Sequence, residues 1–173
     1  PSQTTTLADR VRPRVRSISL QLNETAAFFI RQGYEMEAIA SEVSSHALRY
    51  NVEVGRLLPL HAFAAGKAVL ATFSEQELID YFAAVERSAY TPQTMTDEAL
   101  MRAEIEMIKL RGLARTQGAF TPGIVGLGRA VLTPEGALLG ALSVAIPAAR
   151  MTPELEERAG LLLVRASETL GAV

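Results

Sequence analysis

Residues 55–73 read GRLLPLHAFAAGKAVLATF, and the reading of this stretch decides the fold. Gly55 closes a strand-like run, Pro59 carries the chain across a bend, and small residues then build a helix that holds Lys67. Ala65 and Gly66 have almost no side chain, so their backbone amides can come close to a neighbour or a ligand. A helix N-terminus adds partial positive charge and free N–H groups, which attract a carboxylate or another anion. The plainer alternative is a helix packed closely on a sheet, which calls for the same small residues.

Outward toward the N-terminus, residues 25–54 read as three strands. Ala26–Ile30 is apolar, Gln32-Gly33 supplies a turn, and Tyr34–Val43 alternates imperfectly. His46–Val54 alternates more cleanly, with Tyr50, Val52 and Val54 on one face. Before them, Leu7, Val11, Val15, Ile18 and Leu22 recur at helical spacing, which predicts a helix over 5–22. Pro13 falls in its early turns, where a lost N–H is best tolerated. Arg10, Arg12, Arg14 and Arg16 form a basic run, read as a solvated face.

Outward toward the C-terminus, Ser74-Glu75-Gln76-Glu77 is a capping box that opens a helix through Leu78, Ile79, Phe82 and Val85. Tyr90–Thr96 is a polar connection. Thr96 or Asp97 caps the next helix, which carries Leu100, Ala103, Ile105, Met107, Ile108 and Leu110, and Gly112 stops it. Three strands follow: Leu113–Thr116, Ile124–Thr133 around Gly126 and Gly128, and the continuous apolar run Leu138–Ile146, which reads as central. Pro122-Gly123 and Pro134-Glu135-Gly136 are the turns between them. Thr152-Pro153 begins a last helix with Leu155, Ala159, Leu162, Leu163, Ala166 and Leu170 on its apolar face. The order of elements predicts an α+β fold, an antiparallel sheet with helices packed on it, as one domain over 1–173.

A chain of 173 residues with 49% hydrophobic content can bury a sizeable core. Its formal net charge of −2 lacks the basic surplus of a domain that binds nucleic acid unaided. The absence of cysteine excludes disulfides and thiolate chemistry and suits a reducing cytoplasm. No apolar run is long enough for a membrane span, and no signal-peptide pattern is visible. The chain opens on Pro1 rather than Met, so the expectation is a piece of a longer protein.

No catalytic constellation emerges. Gly66-Lys67 supplies the last pair of a phosphate-cradling loop, but His61 stands where its first glycine belongs and Ala68 where Ser or Thr belongs. Lys67 therefore reads as structural, paired with a carboxylate or capping a carbonyl. His46 and His61 are too few and too far apart for a His-rich metal site, and His61 reads as hydrogen-bonded at a helix start, next to the pocket. A nucleophile elbow is missing, and Ser143 lies inside a strand with no histidine near it in sequence. What remains is a pocket of small residues, with Gly126 and Gly128 facing a strand that carries Ser143 and Ala145.

The run L-P-L-H-A-x-A-x-G-K-A-x-L-A at 58–71 resembles the signature of the effector-binding domain of IclR-family bacterial transcriptional regulators. Tyr90-Thr91 with Thr94 and Thr96, and the run from Glu104 to Ala114, follow the same family in order, from about residue 7 to the end. The resemblance implies a GAF-like, profilin-like fold: a sheet of about six strands, the terminal helices on one face, and the pocket on the other under the middle helices. It implies a small organic effector, often a carboxylate, held at the positions of Ala65, Gly66, Thr116, Gly126, Ser143 and Ala145, with no cofactor, no metal and no enzyme activity. It also implies a cytoplasmic homodimer or tetramer that reaches DNA only through an N-terminal winged helix-turn-helix absent from this chain, with the first helix as linker. Thr116 stands where Asp is frequent, Ala119 where Glu is usual, Gly126 where cysteine is frequent, and Ala145 where a second serine is. Each change removes a polar handle, so the expectation is a bulkier, less polar effector, such as a weakly polar carboxylate. The alternatives are an oligomerisation domain that has lost sensing, or a GAF-like sensor of another signalling protein.

Overall fold

The computed structural model describes residues 6–172. Helix α1 spans Leu7–Leu22, and strands β1 (Thr25–Gln32), β2 (Glu35–Glu42) and β3 (Leu57–Pro59) follow. Helices α2 (Ala64–Leu70), α3 (Glu75–Ala84) and α4 (Glu98–Arg111) form the middle of the chain. Strands β4 (Ala114–Gln117), β5 (Ile124–Leu132) and β6 (Leu138–Pro147) precede a 3-10 turn at Ala148–Arg150 and helix α5 (Pro153–Gly171). The strands make one sheet, ordered β3-β2-β1-β6-β5-β4, and every pairing is antiparallel. The expected α+β architecture is therefore the observed one.

Helix α1 begins where the Thr6 hydroxyl accepts the Asp9 amide (3.1 Å) and ends at Asn23, whose φ of 50° is left-handed. Residue 5, where the helix was expected to start, lies outside the described residues. Val11, Val15, Ile18 and Leu22 are buried, and they meet Ala159, Leu163 and Leu170 of α5 over one face of the sheet. Arg12, Arg14 and Arg16 point to solvent and Arg10 is half-buried. On the other face α2, α3 and α4 cover Ala27, Phe29, Met36 and Ala141. Strands β1 and β6 lie at the centre with both faces covered, which is why β6 reads as an unbroken apolar run.

Three expectations need correction. His46–Val54 is a loop, not a strand, and the third strand is Leu57–Pro59. The Thr25 hydroxyl donates to the Tyr50 carbonyl (2.6 Å) and accepts the Ser44 amide (3.2 Å), so the loop is bonded to side chains rather than to a ladder. Its alternation marks Val52 and Tyr50 touching the core, while Val54 is exposed. Gly55, with φ of +92°, then turns the chain into the short β3. In α3 the capping box is present, with Glu77 N to Ser74 Oγ at 3.1 Å and Ser74 N to Glu77 Oε1 at 2.9 Å. The buried residues there are Leu78 and Tyr81, and Ile79 faces out. In α4 the core takes Met101, Ile105 and Ile108, whereas Leu100, Met107 and Leu110 are exposed. Asp97 is its cap, accepting the Leu100 amide at 2.9 Å, and Gly112 closes it at φ +74°.

Candidate binding pocket

The sheet register assembles the pocket floor. Thr116 pairs with Gly126 and Gly126 with Ala145, which makes one row across β4, β5 and β6. Ala114, Gly128 and Ser143 make the next row. Paired residues of an antiparallel sheet share a face, and here that face carries α2. The helix lies on the sheet nearly backbone to backbone. A Cβ on Gly128 would stand 2.5 Å from the Ala64 carbonyl carbon and 2.7 Å from Ala65 N. A Cβ on Gly66 would stand 2.5 Å from the Leu60 carbonyl oxygen. Gly128 thus serves the close helix–sheet packing that was the plainer reading, while Gly66 lets α2 close on the backbone of Leu60 in the turn after β3.

Between the start of α2 and strands β4–β6 lies a cavity of about 50 Å³. Thr116, Gly126, Ser143 and Ala145, four of the positions that the resemblance implies, line it. Ala65 and Gly66 do not; they are buried against backbone, and the contribution of this stretch comes from Ala62, Phe63 and Ala64. The expected extra room is not there. The space above Gly126 is taken by Thr116 Oγ1 and Ala64 Cβ, at 2.9 and 3.3 Å from where a Cβ would be. Phe63 and Phe120 form aromatic walls, with Phe63 edge-on to Phe29 at a ring separation of 5.0 Å. These aromatic walls went unrecognised in the sequence because each stands in a short irregular segment without periodicity. Phe63 is the N-cap of α2, and Phe120 lies in the connection between β4 and β5.

The polar content of the pocket is two hydroxyls and a looser pair. Among the described residues, Thr116 Oγ1 and Ser143 Oγ make no hydrogen bond with protein, and both residues are nearly buried. Thr121 Oγ1 and Tyr50 Oη approach to 3.5 Å. The rim is pinned by the polar connection. The Thr91 hydroxyl donates to the Gly118 carbonyl (2.5 Å), and the Thr94 hydroxyl donates to the Ala119 carbonyl. Tyr90 packs on Phe120 at 4.9 Å, and the Arg56 guanidinium lies over the Phe120 ring at 5.3 Å. The Tyr90–Thr96 connection therefore holds the ring that closes the pocket.

Lys67 and His61 are structural. Lys67, on the buried α2, donates to Glu104 of α4 at 2.5 Å, the carboxylate partner expected for it. His61 does not line the cavity, although its neighbour Ala62 does; its ring lies 5.8 Å from that of Tyr90. Its Nε2 lies 2.7 Å from the Ser88 carbonyl and Nδ1 is buried without a partner. Burial pushes its pKa below the ordinary 6.5, against the Ser88 hydrogen bond and with help from Arg87 and Lys67. The ring is then neutral, and Nε2–H donates to Ser88. The sign for stability follows. Near pH 6.5 and below, the unfolded chain takes up a proton that the folded ring resists, so stability is full above that range and falls as pH drops through it. Urea titrations at about pH 7.5 and about pH 5.5 should show a smaller acid loss in His61→Gln than in the parent. Equal losses in the two proteins would contradict this account.

A larger open groove, of about 810 Å³, lies between β4–β5 and α5. Leu113, Leu127, Leu161 and Val164 line it, and the Arg115–Glu156 pair (3.1 Å) crosses its edge. None of the site residues expected from sequence falls in it. Among the described residues no three His, Cys, Asp or Glu side chains are grouped to hold a metal, and no helix is long and apolar enough to cross a membrane.

Comparison with known proteins gives consistent matches. The family profile described as bacterial transcriptional regulator IclR C-terminal matches residues 2–170. The HTH-type transcriptional repressor AllR of Klebsiella pneumoniae is 30% identical over 142 residues, 82% of this chain and 52% of that protein. The chain thus spans about half the length of the curated relatives it matches. A solved structure assigned to the IclR transcriptional regulators, from Silicibacter sp. TM1040, superposes with a TM-score of 0.89 at 33% identity, over 94% of this chain and 64% of that one. The inducer-binding domain of PobR from Acinetobacter, a double mutant in complex with 3-hydroxybenzoic acid, shares the fold at a TM-score of 0.88 and 19% identity, over 96% of this chain and 98% of that one.

Proposed function

This chain belongs to the IclR family of bacterial transcriptional regulators, and from that premise we propose that it is the domain that senses a small organic effector and assembles the regulator. The family consists of regulators, and the matched relatives are repressors rather than enzymes. The observation that carries the sensing role is the cavity between α2 and β4–β6, where two hydroxyls without protein partners face apolar walls. A pocket of mostly apolar lining with a few placed polar groups is the usual form of a small-molecule site. Effector binding shifts the balance between two arrangements of the assembled protein, and α1 passes the change to an N-terminal DNA-binding part in the whole protein. The place of action is the cytoplasm, where DNA and effector meet.

A thermal-shift screen tests the sensing role. Its library holds aliphatic and aromatic acids, keto and hydroxy acids, amides and alcohols. A ligand at about 100 times its dissociation constant stabilises by roughly 2.7 kcal/mol. The expected result is a hit that weakens in Thr116→Val and Ser143→Ala. Complete silence across the library would favour the second reading, an assembly domain without sensing, which the small volume of the cavity supports. A bulky effector would enter only with Phe63 or Phe120 turned aside.

The assembly role is supported by α4. Leu100, Met107 and Leu110 are 59%, 43% and 82% exposed, and with Ala103 they form one stripe. Asp97 and Glu98 stand at one end of the helix, Lys109 and Arg111 at the other. Glu98 is paired with Arg102 and Lys109 with Glu106, so two copies laid antiparallel bring Asp97 of one toward Arg111 of the other, and Ala103 leaves room for the partner's Met107. Glu104 and Glu106, which flank the middle of the stripe, are neutralised by Lys67 and Lys109. Leu110→Glu is expected to lower the mass seen by light scattering toward the 18.6 kDa of one chain. An unchanged oligomer mass would place the interface elsewhere.

A further inference from the structure

The pocket has no charge in its walls. None of the side chains that line it is acidic, basic or imidazole. Neither cation on the adjoining elements lines the cavity: Lys67 is bound to Glu104 at 2.5 Å, and the Arg56 guanidinium lies over the Phe120 ring, which is itself part of the lining. Helix α2 is only seven residues long, and its Ala65 amide is set against Gly128 rather than toward the cavity. A carboxylate placed here would lose its water and find no cation in the lining, only the hydroxyls of Thr116 and Ser143, the backbone at Ala62–Ala64, and Thr121 and Tyr50 near the edge. Burying an ionised group with so few donors and no cation is strongly unfavourable, whereas a neutral hydroxyl, carbonyl or amide needs only one or two hydrogen bonds. The volume points the same way. About 50 Å³ suits a molecule of few non-hydrogen atoms, whereas an apolar cavity that takes up benzene measures about 150 Å³.

We propose that this pocket selects a compact, uncharged ligand carrying a hydroxyl, carbonyl or amide group, held by Thr116 and Ser143, and rejects the carboxylate of the same shape. The inference rests on the sensing role argued above and narrows its ligand class.

Acid–amide pairs of equal size give the test: acetamide with acetate, glycolamide with glycolate, and lactamide with lactate. Each is titrated calorimetrically into the wild-type chain and into Thr116→Val and Ser143→Ala, at about pH 7.5, where the acids are ionised. At least one amide is expected to bind, about tenfold or more tighter than its acid, and to weaken by about tenfold in one of the two variants. Both variants are conservative, and their melting curves report whether they fold. An acid that binds as tightly as its amide, and is weakened by the same substitutions, would overturn the charge preference and leave the pocket standing. Binding by no member of any pair, or binding indifferent to both substitutions, would overturn the proposal together with the pocket assignment beneath it.

Discussion

Gly128→Val is expected to cost the domain about 3 kcal/mol, at the upper end of what overpacking a filled core does, and to lower its melting temperature by roughly 6–12 °C. The reason is what the new side chain would meet. A Cβ at Gly128 would stand 2.5 Å from the carbonyl carbon and oxygen of Ala64, and those atoms are backbone of α2, which cannot rotate away as a side chain can. Gly126, two residues earlier on the same strand, provides the comparison. Its Cβ would meet the Thr116 hydroxyl at 2.9 Å and a methyl at 3.3 Å, and the hydroxyl can turn. Gly126→Ala should therefore cost about 1 kcal/mol or less. Denaturant titrations of both variants decide the matter. Similar losses in the two would mean that α2 is not seated on β5 by direct backbone contact.

Arg150→Ala is expected to cost about 3 kcal/mol, the lower end for a broken buried pair, because the arginine is itself partly open to water. Arg150 donates through Nε and Nη2 to the two oxygens of Glu24, each at 2.7 Å, and through Nη1 to the Leu48 carbonyl at 2.7 Å. The Glu24 side chain is 2% exposed, so removal of the guanidinium strands a charge at the start of β1. These bonds hold the arginine's own pKa above its ordinary value. Arg150→Lys should recover little, since an ammonium cannot make the two-pronged contact. Adding Glu24→Gln to Arg150→Ala should recover part of the loss by removing the stranded charge. A double variant no more stable than Arg150→Ala alone would show that the lost Leu48 contact, and not the charge, accounts for the effect.

Much of this architecture was legible along the chain. The helices declared themselves through caps and spacing: Ser74 with Glu77, Asp97, Thr152 before Pro153, and the buried series from Val11 to Leu22. Strand β6 was readable as central because covering both faces demands apolar residues at every position. Misreadings came where local pattern and burial part company. His46–Val54 alternates, yet its Tyr50 carbonyl is held by the Thr25 hydroxyl, and Ser45 just before it by the Asn23 side chain, rather than by a strand. Leu100, Met107 and Leu110 look like core residues and face outward, which a surface destined for another chain also requires. At the pocket, Thr116, Gly126, Ser143 and Ala145 share two rows of the sheet, a consequence of register that the family resemblance supplied. Phe63 and Phe120 escaped notice because their role depends on two connections folding toward each other. For the same reason the glycine at 126 suggested empty space where a hydroxyl and a methyl in fact sit.

The most direct test of the account is a crystal structure of the chain with the tightest-binding compound from the screen. The account predicts density between Phe63 and Phe120, with a polar atom of the compound within hydrogen-bond distance of Thr116 Oγ1 or Ser143 Oγ. Density in the open groove between β4–β5 and α5, with the small cavity unchanged, would contradict it.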